Sequence, residues 1–213
     1  MKVKLCGFGD QQSVLAAVNA KVDFIGFVFC SKSVRYIAPE RAAEIAQIIP
    51  TTIAKVAVLT DNDLENIKKI YQNLAPQYFQ FHGSETPEFL RQIKKTFPAV
   101  KIIKAFRISS EKDLDWVKNF EEVSDLFLFD SKALSLEGVT GGTGQVFDWK
   151  ILSEFKSNRD WFLSGGLNIN NFSEAVKITG AKMIDVSSGI EKIRGQKSVE
   201  LIEQLMLKIK NHA

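Results

Sequence analysis

The hydrophobic pattern of the chain repeats one unit along its length. A short apolar run is followed by a polar or glycine-containing turn, and then by a longer segment with apolar residues at helical spacing. Several of the short runs are nearly continuous in Val, Ile, Leu and Phe, which is typical of parallel strands buried on both faces. They predict eight β-strands, at residues 3–7, 23–29, 53–59, 78–82, 100–106, 124–130, 160–165 and 182–188.

The segments after these runs predict a helix behind each strand. Pro39 and Pro87 suit the first turns of the second and fourth helices, where a missing N–H costs nothing. Thr86 is the expected N-cap of the fourth helix, and Asp61 or Asn62 that of the third. The predicted helical segments are residues 10–20, 39–49, 61–74, 86–97, 110–120, 148–155, 168–179 and 198–210.

Alternating strands and helices predict a parallel sheet. Eight such units favour closure into a single-domain (βα)8 TIM barrel over residues 1–213, since no linker or low-complexity segment divides the chain. The main alternative is an open, doubly wound parallel sheet. The number of strands favours the barrel.

Composition narrows the function classes. The 213 residues carry 28 basic and 25 acidic side chains without a dense basic block, so nucleic acid is not an expected partner. No apolar stretch approaches the roughly 20 residues of a membrane helix, and the N-terminus lacks signal-peptide features. We therefore expect a cytoplasmic protein without a membrane partner. Only two histidines are present, without a CxxC or HExxH motif, so no metal is expected.

Reactive side chains lie where the predicted strands end. Cys6, His82 and Asp130 close the first, fourth and sixth strands, Arg35 follows the second, and Asp185 lies in the eighth. Active sites of such barrels lie at the carboxyl ends of the strands. These five residues are the candidate site, although each also has a purely structural interpretation. For Cys6 that interpretation is a packed small hydrophobe.

Three glycine-rich loops follow the last three strands of the predicted barrel, at residues 141–144, 164–168 and 187–191. Glycine lets backbone N–H groups approach an anion, and such loops of barrels often bind phosphate. The alternative is that they only make tight turns. We predict a small phosphorylated substrate, and the candidate phosphate-binding residues are Gly142, Gly165, Gly166, Ser187, Ser188 and Gly189.

Two further chemistries find less support. The stretch "GFGDQQ" after the first strand lacks the third glycine of a dinucleotide-binding fingerprint. Lys4, Lys55 and Lys104 lie in predicted strands and suggest Schiff-base chemistry, but none ends its strand. We expect these lysines at the surface or rim of the barrel.

A series of motifs resembles the phosphoribosylanthranilate isomerase family, in its order and at its spacing. The matching stretches are "KLCG", "DFIGFVFCSKSVRYI", "FQFHG", "IIKAFRI", "LFLFDSKA", "GGTGQVFDW", "LSGGLN" and "IDVSSGIE". They span nearly the whole chain. Phe8 and Gly9 depart from the family, which has an aliphatic and a small polar residue there.

The resemblance implies a barrel enzyme of tryptophan biosynthesis that needs no cofactor. It converts N-(5-phosphoribosyl)anthranilate to 1-(2-carboxyphenylamino)-1-deoxyribulose 5-phosphate by an Amadori rearrangement. The family's general base falls on Cys6, its general acid on Asp130 and its carboxylate-binding arginine on Arg35. His82 and Asp185 match the family's "HG" and "DVSSG" motifs and are expected to bind substrate.

Two other functions remain to be weighed. A related sugar isomerase of histidine biosynthesis has aspartate in place of Cys6 and needs a second phosphate site, for which no glycine cluster follows the third or fourth strand. The second alternative is a phosphosugar-binding protein without catalysis. The presence of Cys6, Asp130 and Arg35 together argues against this function. The sequence leaves monomer and homodimer open.

Overall fold

The computed structural model describes residues 1–131 and 148–212. Eight parallel strands form a closed barrel in chain order, and β8 pairs with β1 to close it. The closed barrel confirms the predicted fold class, and the open-sheet alternative is wrong. The strands are β1 (Lys2–Cys6), β2 (Phe24–Val28), β3 (Ala54–Leu59), β4 (Tyr78–Phe81), β5 (Lys101–Ile108), β6 (Leu126–Ser131), β7 (Trp161–Leu163) and β8 (Met183–Val186).

Helices follow the strands and cover the barrel. The α-helices are α1 (Gln11–Asn19), α2 (Pro39–Ala46), α3 (Leu64–Leu74), α4 (Pro87–Thr96), α5 (Phe172–Thr179) and α6 (Val199–His212). Two of the predicted helices are 3₁₀ helices instead, Glu111–Phe120 and Trp149–Leu152. A short hairpin that the hydrophobic pattern did not predict, β9 (Glu191–Ile193) and β10 (Gln196–Lys197), lies between β8 and α6.

The helix caps confirm one prediction and correct another. Thr86 caps α4 through its side chain, as expected. The N-cap of α3 is Asp63, whose carboxylate accepts a hydrogen bond from the backbone of Asn66 at 2.8 Å. Both predicted caps, Asp61 and Asn62, are wrong. The Asp61 carboxylate accepts from the backbone N–H of Ser84 at 2.8 Å and connects the β3 loop to the β4 loop, and the Asn62 side-chain oxygen accepts from the backbone N–H of Thr60 at 2.9 Å.

Alternate residues of each strand point into the barrel or out toward the helices. In β6, Leu128 packs in the interior, while Phe127 and Phe129 pack in the outer layer. The ring of Phe129 contacts those of Phe155 and Trp161 with centroids 4.9 and 5.5 Å apart. The outer layer is thus a continuous apolar shell.

The lysines of the strands correct an expectation. Lys4 and Lys104 are buried rather than at the surface or rim, and each has a carboxylate partner. The Lys4 ammonium lies 2.9 Å from Asp185, and the Lys104 ammonium 2.8 Å from Glu85. Lys55 is half-buried and donates to the Leu74 carbonyl oxygen at the end of α3. The hydrophobic pattern predicted the wrong position for Lys4 and Lys104 because a lysine paired with a carboxylate can replace an apolar residue inside a barrel.

Within the part of the chain that the structure describes, no helix is long and apolar enough to cross a membrane.

Replacing Phe129 by Ala removes a fully buried ring from the outer layer. We expect it to lower the free energy of unfolding by about 3–5 kcal/mol, measured by denaturant titration. Leu207→Ala, at a side chain of α6 that is 62% exposed, is the control and is expected to change stability by no more than about 0.5 kcal/mol. Equal losses in both variants would contradict this view of the core.

Candidate active site

The carboxyl ends of the strands surround one large cavity. Its lining includes all the predicted site residues that the structure describes, except Gly189. Gly142 lies outside the described residues, as does the whole 141–144 loop. The predicted residues that share the cavity are Cys6, Arg35, His82, Asp130, Gly165, Gly166, Asp185, Ser187 and Ser188.

Cys6 is the last residue of β1, and its side chain lies in the barrel interior. Its neighbour on β2 is Gly26, where an added Cβ would lie 2.8 Å from the Cys6 sulfur. Glycine at this position therefore leaves the space that the thiol occupies. Sequence reasoning missed Gly26, although a glycine inside an apolar strand often marks such a close approach.

The charges around Cys6 oppose each other. Burial raises the pKa of the Cys6 thiol, the nearby Lys4 ammonium lowers it, and the Asp185 carboxylate raises it again. The net direction is upward from the ordinary value of 9.0. The thiol of the free protein is therefore protonated at neutral pH.

Asp185 is held inside the barrel by two neighbours. Its Oδ1 lies 2.9 Å from the Lys4 ammonium, and its Oδ2 accepts from the Ser164 hydroxyl at 3.3 Å. Its side chain is only 7% exposed, yet it lines the cavity. The structure thus places Asp185 beneath Cys6, in a buried polar network that reaches β7.

His82 and Asp130 face each other across the cavity wall. The Nε2 atom of His82 lies 3.4 Å from Oδ2 of Asp130, and Oδ1 of Asp130 accepts from the backbone N–H of Ser131 at 2.8 Å. The two side chains are 18% and 23% exposed. Both residues line the cavity, although the Nε2 atom of His82 is itself buried and makes no hydrogen bond with a residue that the structure describes.

Arg35 is buried and held by Glu191 through a two-pronged contact. Its Nε and Nη2 donate to the two carboxylate oxygens at 2.6 and 2.8 Å, and the Lys197 ammonium lies 2.8 Å from Oε1. Burial raises the pKa of Glu191, but the hydrogen bonds from Arg35 and Lys197 and the charge of Lys197 outweigh it, so the pKa falls to about 2. Glu191 is therefore ionised. Burial lowers the pKa of Lys197 from its ordinary value of 10.5 against the attraction of Glu191, and the formal charges of the three side chains sum to one positive charge.

Glu191 and Lys197 belong to the functional residues that sequence reasoning missed. Both lie in the hairpin, and Glu191 ends the quoted "SSGIE" motif without having been given a role. The apolar pattern gave no signal for them because their charges, not their hydrophobicity, place them beside Arg35. A buried arginine near a site requires such a carboxylate.

The loop after β7 needs its glycines. Gly165 has a φ of +90° and Gly166 a φ of +67°, a backbone region that favours glycine. A Cβ on Gly165 would also lie 2.5 Å from the backbone nitrogen of Ser131. This close approach brings the loop against the end of β6, beside Asp130.

The loop after β8 is connected to both Cys6 and the hairpin. The Ser187 hydroxyl donates to the Cys6 carbonyl oxygen at 3.0 Å, and the Lys197 ammonium lies 3.2 Å from that hydroxyl. Gly189 forms a bridge with Asn168, and a Cβ on it would overlap the Leu167 carbonyl. Gly189 thus packs against the β7 loop, which explains why it does not line the cavity.

No group of three or more metal-ligating side chains occurs within residues 1–131 and 148–212.

Comparison with known proteins matches this arrangement to one family. A family model described as N-(5'-phosphoribosyl)anthranilate isomerase matches residues 3–208. The N-(5'-phosphoribosyl)anthranilate isomerase of Zymomonas mobilis is 39% identical over 207 residues, which is 97% of this chain and 96% of that protein.

Solved structures agree with this result. The crystal structure of phosphoribosyl anthranilate isomerase from Thermotoga maritima matches with a TM-score of 0.87 and 32% identity, over 99% of both chains. A second structure of such an isomerase, at 30% identity, a TM-score of 0.83 and the same coverage, contains reduced 1-(o-carboxyphenylamino)-1-deoxyribulose 5-phosphate. The chain therefore belongs to the N-(5'-phosphoribosyl)anthranilate isomerase family, and it is an isomerase of tryptophan biosynthesis.

Proposed function

We propose that the enzyme performs the Amadori rearrangement of N-(5-phosphoribosyl)anthranilate with Cys6 as general base and Asp130 as general acid. The observation that carries this proposal is their placement: they end strands β1 and β6 and line the same cavity. Two proton-transfer groups on separate strands can act on different faces of one sugar.

Ring opening is the step assigned to Asp130. Its carboxyl group donates a proton to the ring oxygen as the C1–O bond breaks, and the nitrogen lone pair forms the C1=N bond of an iminium. Asp130 must enter this step protonated and leave it as a carboxylate. His82, 3.4 Å away, is placed to stabilise that carboxylate by hydrogen bonding.

Proton removal from C2 is the step assigned to Cys6. Cys6 acts here as its thiolate, the minor form at neutral pH because burial raises the pKa of the thiol. The iminium acidifies the C2 proton, the Cys6 thiolate takes it, and the bonding electrons form C1=C2 while the nitrogen becomes neutral. The enolamine then loses its O2 proton and gains one at C1, which gives the ketone. Electron pairs move within the substrate and protons move between the substrate and the protein, so the balance needs no oxidant or reductant.

The anthranilate carboxylate is assigned to Arg35. Glu191 fixes the guanidinium plane, and the net positive charge of Arg35, Glu191 and Lys197 remains available to an anion. The phosphate is assigned to the loops after β7 and β8, where Lys197 adds a cation beside Ser187. The phosphorylated carboxyphenylamino compound bound by the related isomerase has the same two anionic ends.

The alternatives from the sequence are less well supported. An isomerase of histidine biosynthesis would have a carboxylate where Cys6 lies, and no glycine cluster follows the third or fourth strand to bind a second phosphate. A binding protein without catalysis would not need both a thiol and a carboxyl group at the same cavity.

Removing either proton-transfer group tests the proposal. We expect Cys6→Ala and Asp130→Asn each to lower kcat by about 10²–10⁴-fold, the usual contribution of general acid–base catalysis. The rate is measured by the disappearance of substrate fluorescence. Cys30→Ser, which changes one atom of the other cysteine that lines the cavity, is the matched control and should retain the wild-type rate if Cys6 alone is the base. A Cys6→Ala enzyme at near-wild-type rate would exclude Cys6 as the base.

Arg35→Met tests recognition of the carboxylate. We expect binding of reduced 1-(o-carboxyphenylamino)-1-deoxyribulose 5-phosphate to weaken by about 10- to 100-fold, because a charged hydrogen bond contributes about 1.5–3 kcal/mol. Ribose 5-phosphate lacks the carboxylate and should bind with nearly unchanged affinity. Calorimetry measures both. An equal loss of affinity for the two ligands would show that Arg35 does not bind the carboxylate.

The ion pair beneath Arg35 predicts a pH dependence of stability. The pKa of Glu191 falls from 4.5 to about 2 on folding, so ionised Glu191 stabilises the fold above pH 4.5. This contribution is lost as the pH falls from 4.5 through about 2. We expect wild type to be more stable than Glu191→Gln near neutral pH and the difference to shrink over that range, measured by denaturant unfolding. A difference that stays constant would contradict the assignment.

A further inference from the structure

Lys4 is a buried charge to which neither proposed proton transfer assigns a role. Lys4 is fully buried, with 0% of its side chain exposed, and pairs with Asp185 at 2.9 Å. A buried ion pair costs considerable desolvation and is often replaceable by apolar residues. Its position at the base of the active site calls for a functional explanation.

The strand geometry brings Lys4 to Cys6. The two residues are two apart in β1, so their side chains leave the same face of the strand and enter the barrel. Lys4 lies beside Asp185 in the register of β1 and its neighbour β8, and the Asp185 carboxylate holds the ammonium group at 2.9 Å. Charge attraction and hydrogen bonding from the Lys4 ammonium lower the pKa of the Cys6 thiol and so favour the thiolate.

Lys4 keeps its charge in this setting. Burial lowers the pKa of Lys4, but attraction by Asp185 and Cys6 outweighs it, and the net direction is upward from 10.5. A permanent cation therefore lies beside a thiol that burial keeps protonated. Charges act more strongly on each other in the interior than in water.

We propose that Lys4 is a positioning residue of the isomerase: its buried ammonium group stabilises the thiolate form of Cys6, and Asp185 holds this ammonium in place. The inference rests on the proposed role of Cys6 as general base. It deepens that role by naming the group that stabilises the thiolate before the thiolate takes the C2 proton.

Other charges that face Cys6 determine how the test is designed. Asp185 on β8 opposes the thiolate, and Lys197 on β10 favours it. The Arg35 side chain passes close to Gly7, the residue after Cys6, where an added Cβ would lie 2.6 Å from the Arg35 Cδ. Its charge is already paired with Glu191. Lys4 and Asp185 thus have opposite effects on the pKa of Cys6. Removal of Lys4 should raise that pKa, and removal of the Asp185 charge should lower it.

The experiment measures ionisation of Cys6 directly. In a Cys30→Ser background Cys6 is the only cysteine, and its thiolate is followed by ultraviolet absorbance during a pH titration. The signal of Cys6→Ala in the same background is subtracted to remove tyrosine ionisation. The variants are Lys4→Met, Asp185→Asn and the double variant, with Lys55→Met as a strand lysine that contacts α3 instead.

We expect Lys4→Met to raise the thiol pKa by about one unit or more and Asp185→Asn to lower it, with Lys55→Met unchanged. A one-unit rise leaves about tenfold less thiolate at neutral pH, so kcat/KM of Lys4→Met should fall about tenfold or more. The deficit should shrink as the pH rises. A purely structural role of Lys4 would not produce this pH dependence.

The double variant keeps the test valid if Lys4→Met does not fold because Asp185 is left unpaired. Lys4→Met added to Asp185→Asn should again raise the thiol pKa. An unchanged titration of Cys6 in both Lys4→Met proteins would overturn the inference. If instead Cys6→Ala kept the wild-type rate, the general-base proposal would fail, while the titration would still report whether Lys4 acts on the thiol.

Discussion

The buried ion pair between Lys4 and Asp185 joins the first and last strands of the barrel, where the sheet closes. A single charge in this interior would be strongly destabilising, so each of the two side chains requires the other. Cys6 follows Lys4 on β1, and Ser187 follows Asp185 beyond β8. The pairing of two charges therefore fixes the ends of both strands, and with them the thiol and one of the proposed phosphate loops.

The same arrangement recurs around the cavity. Arg35 and Lys197 share Glu191, and Lys104 pairs with Glu85, whose carboxylate also accepts from the backbone N–H of Gly83. Each pair orients a loop that carries a site residue. The apolar shell between strands and helices supplies the stability that allows the barrel to tolerate these buried charges.

The sequence predicted the eight strands because each is a short apolar run, and it predicted the candidate site because reactive residues end those runs. It could not show that Lys4 and Lys104 are buried, since a hydrophobic pattern registers a lysine as polar whatever its partner. Glu191, Lys197 and Gly26 were missed because their roles arise from contacts between distant segments. The predicted N-cap of α3, Asp61 or Asn62, lies one or two residues before the observed cap, Asp63. Asp and Asn are equally good N-caps in sequence, and only the hydrogen bonds that each residue forms distinguish the three.

We propose that Cys6 and Asp130 flank the reacting carbons of a substrate held at its carboxylate and phosphate ends. A crystal structure of this chain with reduced 1-(o-carboxyphenylamino)-1-deoxyribulose 5-phosphate tests it most directly. We expect the Cys6 sulfur to contact C2, Asp130 to lie on another face of the sugar chain, and Arg35 to bind the carboxylate. A bound ligand whose C2 lies away from Cys6, with other groups beside it, would contradict the account.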